Sequence, residues 1–486
     1  MYAGIDFGTS SCSIGVWKNN GPVLLPLEGE STRLPSALYT TRPTLPIEEV
    51  DTLELERRIA AARRRQTAEF RKAKEENGTF KELSDAELEN IERGAMRREL
   101  AERAKKRYRS QTINEVLYAD TEVVFGEEAI LRHIQEPQNG FFIKSPKSFL
   151  GAAIQPHHAE LFFEVIKRIL AFIKATAEIN IQNEIDNIVL GRPVNFHGTR
   201  GQEGNHQAIG ILESAAMAAG FKSVEFLMEP IAAAMDFERS IPEDVIALVL
   251  DVGGGTTDCS MVKLGPSHIN SRDRNNSVLG YAGDRVGGTD IDIKLALMKI
   301  MPHFGRNSLL KNGLPIPNIL FWNAVAINDV NAQEQFWSDN TQHEILFYLG
   351  QAADKKKVQR ILNLQKGRLT FRLNRSAELA KIHLSERDPI NLPLRYIEPE
   401  LVIPISRYDL RESIERELDV FLSLMKEVEN QAGVKPDILY VTGGTAKSPI
   451  VEEWIRSNYR HVEIVVGDAF GSVVSGLTTW ARRIYQ

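Results

Sequence analysis

The stretch that most constrains this chain is IALVLDVGGGTTDCSMVKL, from Ile246 to Leu264. Apolar residues from Ile246 to Leu250 predict a buried strand, Asp251 to Asp258 a glycine-rich turn, and Cys259 to Leu264 a strand returning from it. Gly253, Gly254 and Gly255 leave backbone N–H groups open to phosphate oxygens, and Thr256 and Thr257 add hydroxyl donors. Asp251 and Asp258 supply carboxylates suited to a hydrated divalent ion. A similar hairpin opens the chain in GIDFGTSSCSIGVW, where Asp6, Gly8 and Thr9 follow a short apolar strand and Ser13 to Trp17 return. Two such hairpins predict two related half-molecules facing one nucleotide.

At 486 residues the chain exceeds what one hydrophobic core usually serves, which predicts two lobes. A net charge of -6, from 59 basic and 65 acidic residues, gives no electrostatic case for nucleic acid or an anionic membrane as partner. Cys12 and Cys259 are too few for a disulfide framework and allow at most one bridge; both read as small buried residues in returning strands. No cationic start and apolar segment precede Gly4, and no stretch approaches the roughly 18 apolar residues of a membrane span, so a cytoplasmic protein is expected.

Between Glu48 and Arg109 the composition turns to Glu, Arg, Lys and Ala. Two charged helices are expected, about 48–76 and 84–109, broken around Asn77-Gly78, with Ser84 and Glu87 spaced as a capping box. Interleaved charges favour a solvated helical hairpin, with partner docking as the alternative. Residues 302–336 read as an irregular excursion, 376–384 as a polar-faced helix and 407–432 as one long helix. The closing alternation is a strand over 438–444, a helix from Pro449 to Asn458, the strand VEIVVG and a final helix, an α/β signature.

Asp6 and Asp251 each end a strand just before the glycine turn, so both carboxylates are expected in the cleft between lobes, holding Mg2+ through water. Glu229 lies between a strand and a helix that opens with Pro230, where it can orient an attacking water. Lys147, in SPKSFLG beside Lys144, is the candidate to neutralise a transferred phosphoryl group. A third glycine pair, Gly443-Gly444, ends another strand, and small residues there let a flat ring approach the backbone. Each residue alone reads as a surface charge or a plain turn. Three such turns at strand ends converge on a nucleotide cleft.

With these motifs in order, the chain resembles the ATPase domain of the DnaK-type heat-shock chaperones, within the actin-like ATPase superfamily, and among them the shortened YegD-like members. Asp6-Phe7-Gly8-Thr9-Ser10 is similar to that family's first phosphate motif, and Asp251 through Asp258 to its second, with Thr257 in place of phenylalanine. Lys147 stands at the place of the phosphate-cleft lysine, Pro193 at that of the hinge proline, and Glu229 in MEPIAAAMDF at that of the catalytic glutamate. Gly287-Gly288-Thr289-Asp290 resembles a further glycine motif, and Gly443-Gly444-Thr445-Ala446-Lys447-Ser448-Pro449 the adenosine motif. Glu378, Lys381 and Ser385 fall in the segment resembling the helix that holds ribose and adenine, and Asp468 resembles a ribose-side aspartate.

The resemblance implies a two-lobed actin-like α/β fold of duplicated ribonuclease-H-like subdomains with a charged helical insertion. Its expected parts are a first lobe over 1–244 with the insertion at about 48–110, a second lobe over 245–466 with a peripheral subdomain at about 272–400, and a terminal helix, 467–486, crossing back. It implies ATP and ADP as ligands, Mg2+ through Asp6, Asp251 and Asp258, and K+ as an optional ion. The catalytic set is Lys147, Glu229, Asp251, Thr256 and Asp6. Ile382 stands where that family has an arginine over adenine, implying a more apolar adenine pocket or weaker affinity. With the sequence ending at Gln486, the usual peptide-binding domain is expected to be lacking, and a protein partner is expected at 48–110 or 302–373 instead. The expected activity is slow ATP hydrolysis driving lobe motion in a chaperone-like protein. A nucleotide-sensing scaffold with little turnover and a small-molecule kinase of the same superfamily are the alternatives.

Overall fold

The computed structural model describes the whole chain except residues 44–47, 77–78, 112, 119–120, 153–155, 197–200, 270–276 and 469–470. The expected break at Asn77-Gly78 therefore lies outside the described residues. Backbone contacts divide the chain into one unit of Met1–Tyr39 with Val123–Gln486, and another of Thr40–Glu122.

Two sheets of matching topology form the frame of the larger unit. The first contains β1 (Tyr2–Phe7), β2 (Ser11–Lys18), β3 (Gly21–Leu24), β4 (Leu34–Pro35), β5 (Asn187–Arg192) and β6 (Ser223–Met228), in the order β3-β2-β1-β5-β6, with β4 paired to β2. The second contains β7 (Val245–Val252), β8 (Thr257–Leu264), β9 (Val278–Asp284), β10 (Ile438–Thr442) and β11 (Glu463–Val466), in the order β9-β8-β7-β10-β11. In each, an antiparallel hairpin adds parallel strands on the far side of its first strand. The hairpin registers pair Asp6 with Ser13 and Asp251 with Asp258, which puts each glycine turn at a sheet end. Helices cover both faces, so the central strands carry unbroken apolar runs rather than alternation; Ala247, Leu248, Val249 and Leu250 are all fully buried.

The helix Glu229–Glu238 explains its own composition. Ile231, Ala232 and Met235 pack with Val189, Leu227, Leu477 and Ala481, while Ala233 and Ala234 pack with Ala247, Val249 and Tyr440. A helix buried on two sides needs short side chains if both layers are to approach it. The final helix, Ser472–Tyr485, lies against it and against β1.

Residues 302–336 differ from the irregular excursion expected of them. They form the helices Asn318–Val325 and Val330–Trp337, and Phe304, Phe321 and Phe336 are fully buried in the core of the second sheet's helices. The turn-forming residues that suggested a loop are helix boundaries: Pro317 precedes the first helix, and the Asp329 side chain caps the second by accepting from the Ala332 N–H. The expected helix at 376–384 runs from Thr370 to Glu386. The single helix expected over 407–432 is two, Arg407–Ser413 and Glu415–Ala432, parted at Ile414, whose φ of -115° and ψ of 15° leave helical geometry.

In the Thr40–Glu122 unit, Thr52–Glu75 and Asp85–Ser110 are helices. Ser84 and Glu87 form the reciprocal capping box. The helices are tied by Arg58 to Glu99 and Arg63 to Asp85, with Leu55, Ala62, Leu88 and Met96 as a thin buried seam. Among the described residues no helix is long and apolar enough to cross a membrane.

Candidate functional site

The two glycine turns meet face to face. In the first, the Gly8 N–H donates to the Ser11 carbonyl at 3.1 Å; in the second, the Gly253 N–H donates to the Thr256 carbonyl at 2.9 Å. A methyl group on Gly254 would lie 2.8 Å from Ser10 Cβ, and one on Gly255 2.6 Å from Thr9 Cγ2, so no side chain fits between the turns. Gly443 supplies the third turn at φ 92°, where a Cβ would stand 2.6 Å from the Val252 carbonyl carbon. The turn before the helix Gly288–Leu295 locks onto the second through Gly288 N–H to Gly253 O (2.9 Å) and Thr289 N–H to Gly254 O (2.7 Å). Between them lies a cavity of about 200 Å³.

Lys147 is placed by its local backbone. The strand Gly140–Lys144 ends at Ser145, which takes a left-handed conformation (φ 58°) and donates its N–H to the Ser36 carbonyl at 2.7 Å. The next residues, Pro146–Phe149, make a short 3-10 turn that sends Lys147 inward. Its Nζ forms a buried ion pair and hydrogen bond with Glu229 Oε1, from the first turn of the helix Glu229–Glu238.

Four carboxylates gather at this cation. Burial first, then Glu229, pushes the Asp6 carboxyl up to about 7, against the opposing pull of Lys147. Burial and Glu229 likewise push Asp258 up to about 7. Asp251 is raised well above the usual carboxylate range by burial, with Glu229, Asp258 and Asp6 adding to it. Burial disfavours the Lys147 ammonium, but Glu229 and Asp6 outweigh it and hold the group above its ordinary value. The floor of the cavity thus sets the Asp6, Asp251 and Glu229 carboxyls around one lysine, and a further cation there would favour their ionised forms. Among the described residues, no group of three or more His, Cys, Asp or Glu is arranged to grip a bare metal ion. The carboxyls of Asp6 and Asp251 would suit a hydrated divalent ion rather than a bare one.

The opposite wall is the helix Thr370–Glu386. Glu378 receives Lys144 at 3.4 Å and Arg375 at 3.0 Å; burial would raise its carboxyl, but Lys144, Arg375 and Lys381 bring it down to about 2. Lys381 pairs with Asp292 at 2.8 Å and donates to the Gly288 carbonyl at 3.1 Å. Ile382 lines the cavity and is 48% exposed, an apolar surface on that wall.

Of the residues singled out in the sequence, Asp6, Gly8, Thr9, Ser10, Lys147, Glu229, Asp251, Gly253, Gly254, Thr256, Gly288, Glu378, Lys381, Gly443, Gly444 and Thr445 line this cavity. Seven others are placed elsewhere. Thr257 points away, its hydroxyl donating to the Val286 carbonyl at 2.6 Å. Asp258 lies beneath the turn, accepting the Val194 N–H at 2.6 Å. Gly255 and Gly287 press against each other behind the lining. Ser385 sits beyond Ile382 on its helix, with its carbonyl accepting from Arg407, while Lys447 and Asp468 are exposed outside the cavity. Alternation explains the Thr257 placement, since successive side chains of a strand face opposite ways.

Thr289, part of the Gly287-Gly288-Thr289-Asp290 motif, lines the cavity too, and so do Ser11, Arg33, Asp292, Ile327, Asn374 and Val473, which sequence reading passed over. Asn374 was findable, because it stands one helical turn before Glu378 and seven residues before Lys381, on one helix face. Arg33 and Ile327 carry no local motif.

Cys12 and Cys259 are free and buried. Cys12 Sγ lies 3.3 Å from Ser36 Oγ, and burial pushes its thiol up to about 12, which leaves it unreactive.

The comparison with known families falls on the middle of this frame. Residues 162–308, which carry Glu229, the whole β7–β8 hairpin with its glycine turn and the Gly287-Gly288 turn, match the family model described as Hsp70 protein, and the match supports a nucleotide-binding, chaperone-related ATPase.

Proposed function

We propose that this chain binds ATP with Mg2+ and hydrolyses it slowly to ADP and phosphate, in a chaperone-like cycle whose two lobes open and close with nucleotide state. The reading takes the paired sheets as duplicated ribonuclease-H-like subdomains of an actin-like fold. The first lobe is 1–244, with an insertion at about 48–110. The second is 245–466, with a peripheral subdomain at about 272–400, and 467–486 is the helix crossing back. The identical strand order of the two sheets supports it.

The observation that carries the proposal is the buried Lys147–Glu229 pair beside two glycine turns. The N–H groups of Thr9, Ser10, Gly254 and Thr256, with the Thr9 and Thr256 hydroxyls, grip the phosphate chain, while the Gly8 and Gly253 N–H groups close the two turns on themselves. Mg2+ held through water by Asp6 and Asp251 would supply charge neutralisation on the phosphates. Glu229 accepts a hydrogen bond from the attacking water and orients it at the terminal phosphorus. As the water oxygen bonds to that phosphorus, its proton passes to Glu229, the bond to the bridging oxygen breaks, and ADP leaves with the electron pair on that oxygen. Lys147 balances the charge on the transferred group. The ribose falls to Glu378 and Lys381, and the base to the small-residue turn at Gly443-Gly444 with Ile382 opposite. A protein partner is assigned to 48–110 or 302–373.

Phosphate release from Mg-ATP tests the reading. Wild type is expected to turn over slowly and Glu229→Gln to lose about 100-fold or more while still binding ATP. No release above that of Glu229→Gln would sink the enzyme reading, and retained ATP binding would then leave a nucleotide-sensing scaffold.

A further inference from the structure

Asp292 lines the cavity two residues past the Gly287-Gly288-Thr289-Asp290 motif. Its helix, Gly288–Leu295, is held from several sides. Gly288 and Thr289 donate to the second glycine turn, the Asp290 carboxylate accepts the Gly287 N–H at 2.9 Å, and Asn328 Nδ2 donates to the same carboxylate at 2.9 Å. Asp292 is therefore carried on a rigid element, and its buried carboxylate meets the Lys381 ammonium at 2.8 Å. Burial pushes that carboxyl up to about 7, while Lys381 pulls it down.

Lys381 stands three residues after Glu378 on the helix Thr370–Glu386, a spacing at which a glutamate and a lysine ordinarily pair. Here they do not. Asp292 and the Gly288 carbonyl draw the ammonium toward the neighbouring helix, and Glu378 takes Lys144 and Arg375 instead. Both of those cations approach Glu378 Oε2, and among the described residues no partner reaches Oε1. The cavity is thus lined by an ionised carboxylate with an open acceptor and, beside it, an ammonium donor kept apart from it. An acceptor next to a donor is complementary to two adjacent hydroxyls, one donating to Glu378 and the other accepting from Lys381. Without the Asp292 charge the attraction between Lys381 and Glu378 Oε1 is unopposed, and each group would occupy the other.

We infer that Asp292 is a positioning residue: by holding Lys381 off Glu378 it keeps both groups open to the 2′ and 3′ hydroxyls of the nucleotide's ribose, and so makes the site select ribonucleotides over their deoxy forms. The inference rests on the ATP reading above, which gives the ribose to Glu378 and Lys381 and assigns Asp292 no part.

The test is titration calorimetry of the full chain with Mg2+ at pH 8, where Asp292 is ionised. ADP, 2′-deoxy-ADP and 3′-deoxy-ADP are titrated into wild type, Asp292→Asn and the double variant Asp292→Asn/Lys381→Met. Wild type is expected to bind ADP about 10-fold more tightly than either deoxy form. Asp292→Asn should bring all three nucleotides to within about 3-fold of one another, at the affinity of the deoxy forms, and that remaining binding shows that the site is folded. Removing Lys381 as well frees Glu378, so the double variant should regain about a 10-fold preference against one deoxy form and none against the other. An Asp292→Asn variant that keeps either preference or binds nothing, or a double variant that regains none, overturns the assignment. Wild type indifferent to both hydroxyls also overturns it while leaving the ATP reading standing. Wild type that binds none of the three nucleotides overturns both.

Discussion

Lys147→Met keeps most of the side chain's volume and removes its charge from among Glu229, Asp6, Asp251 and Asp258. Lys147 is 3% exposed and Glu229 10%, so water cannot replace the lost partner. Removing one member of such a buried pair costs about 3–5 kcal/mol, because the remaining carboxylate is left uncompensated rather than because the pair itself was worth that much. Adding Glu229→Gln removes the orphaned charge, and the double variant is expected to recover about 2 kcal/mol or more of the loss. The pH dependence has a fixed sign. Asp6 and Asp258, with folded values near 7 against an ordinary 3.8, hold protons in the folded state between those limits. The unfolded chain has by then released them, so stability falls as pH rises toward 7, and without Lys147 it falls further. Urea denaturation of the nucleotide-free protein at pH 5 and pH 8 measures this. A double variant no more stable than Lys147→Met, or a single variant as stable as wild type at pH 8, would refute the electrostatic account.

Three further outcomes are expected. His133 is buried, stacked on Phe142 at 4.5 Å, and burial pulls its imidazole down to about 4. The unfolded chain takes a proton near the ordinary 6.5 and the folded one does not, so about 3 kcal/mol present above pH 6.5 should drain away toward pH 4; His133→Phe should lose that part of the slope in urea titrations, and an unchanged slope would assign it elsewhere. Gly443→Ala forces a methyl group into a φ of 92° and within 2.6 Å of the Val252 carbonyl carbon, which should cost about 2 kcal/mol or more and lower the melting temperature; an unshifted melt would contradict the geometry. Ser84→Ala opens the capping box of the helix Asp85–Ser110, and amide exchange in its first turn should speed by about 5-fold, whereas unchanged exchange would mean the cap contributes nothing.

Much of the frame was legible because it depends on local pattern. The apolar run before Asp251, the glycine turn and the apolar return specify a hairpin whichever partners surround it, and the same holds for Tyr2 to Lys18. The capping box at Ser84 and Glu87 lies four residues long and needs no tertiary information. The 302–336 region was misread because its helices are only eight residues each, and their Pro, Asp and Ser boundaries outweigh the periodicity that longer helices would show. Its three phenylalanines are held in place by burial, not by propensity.

The first hairpin as a candidate phosphate cradle, its likeness to the second, and the charges worth watching were all fixed by the order of residues. Which of those charges meet was decided only by the fold. Lys147 and Glu229 are 82 positions apart and form one ion pair, and Thr257 and Asp258, next to Thr256 in the same motif, turn away from the cavity that Thr256 lines. Arg33 enters the site through the pairing of β4 with β2, a contact no periodicity encodes. Backbone preference acts over a few residues, whereas burial and Coulomb energy act through space, so the turns could be read in the chain and the charge balance of the site could not.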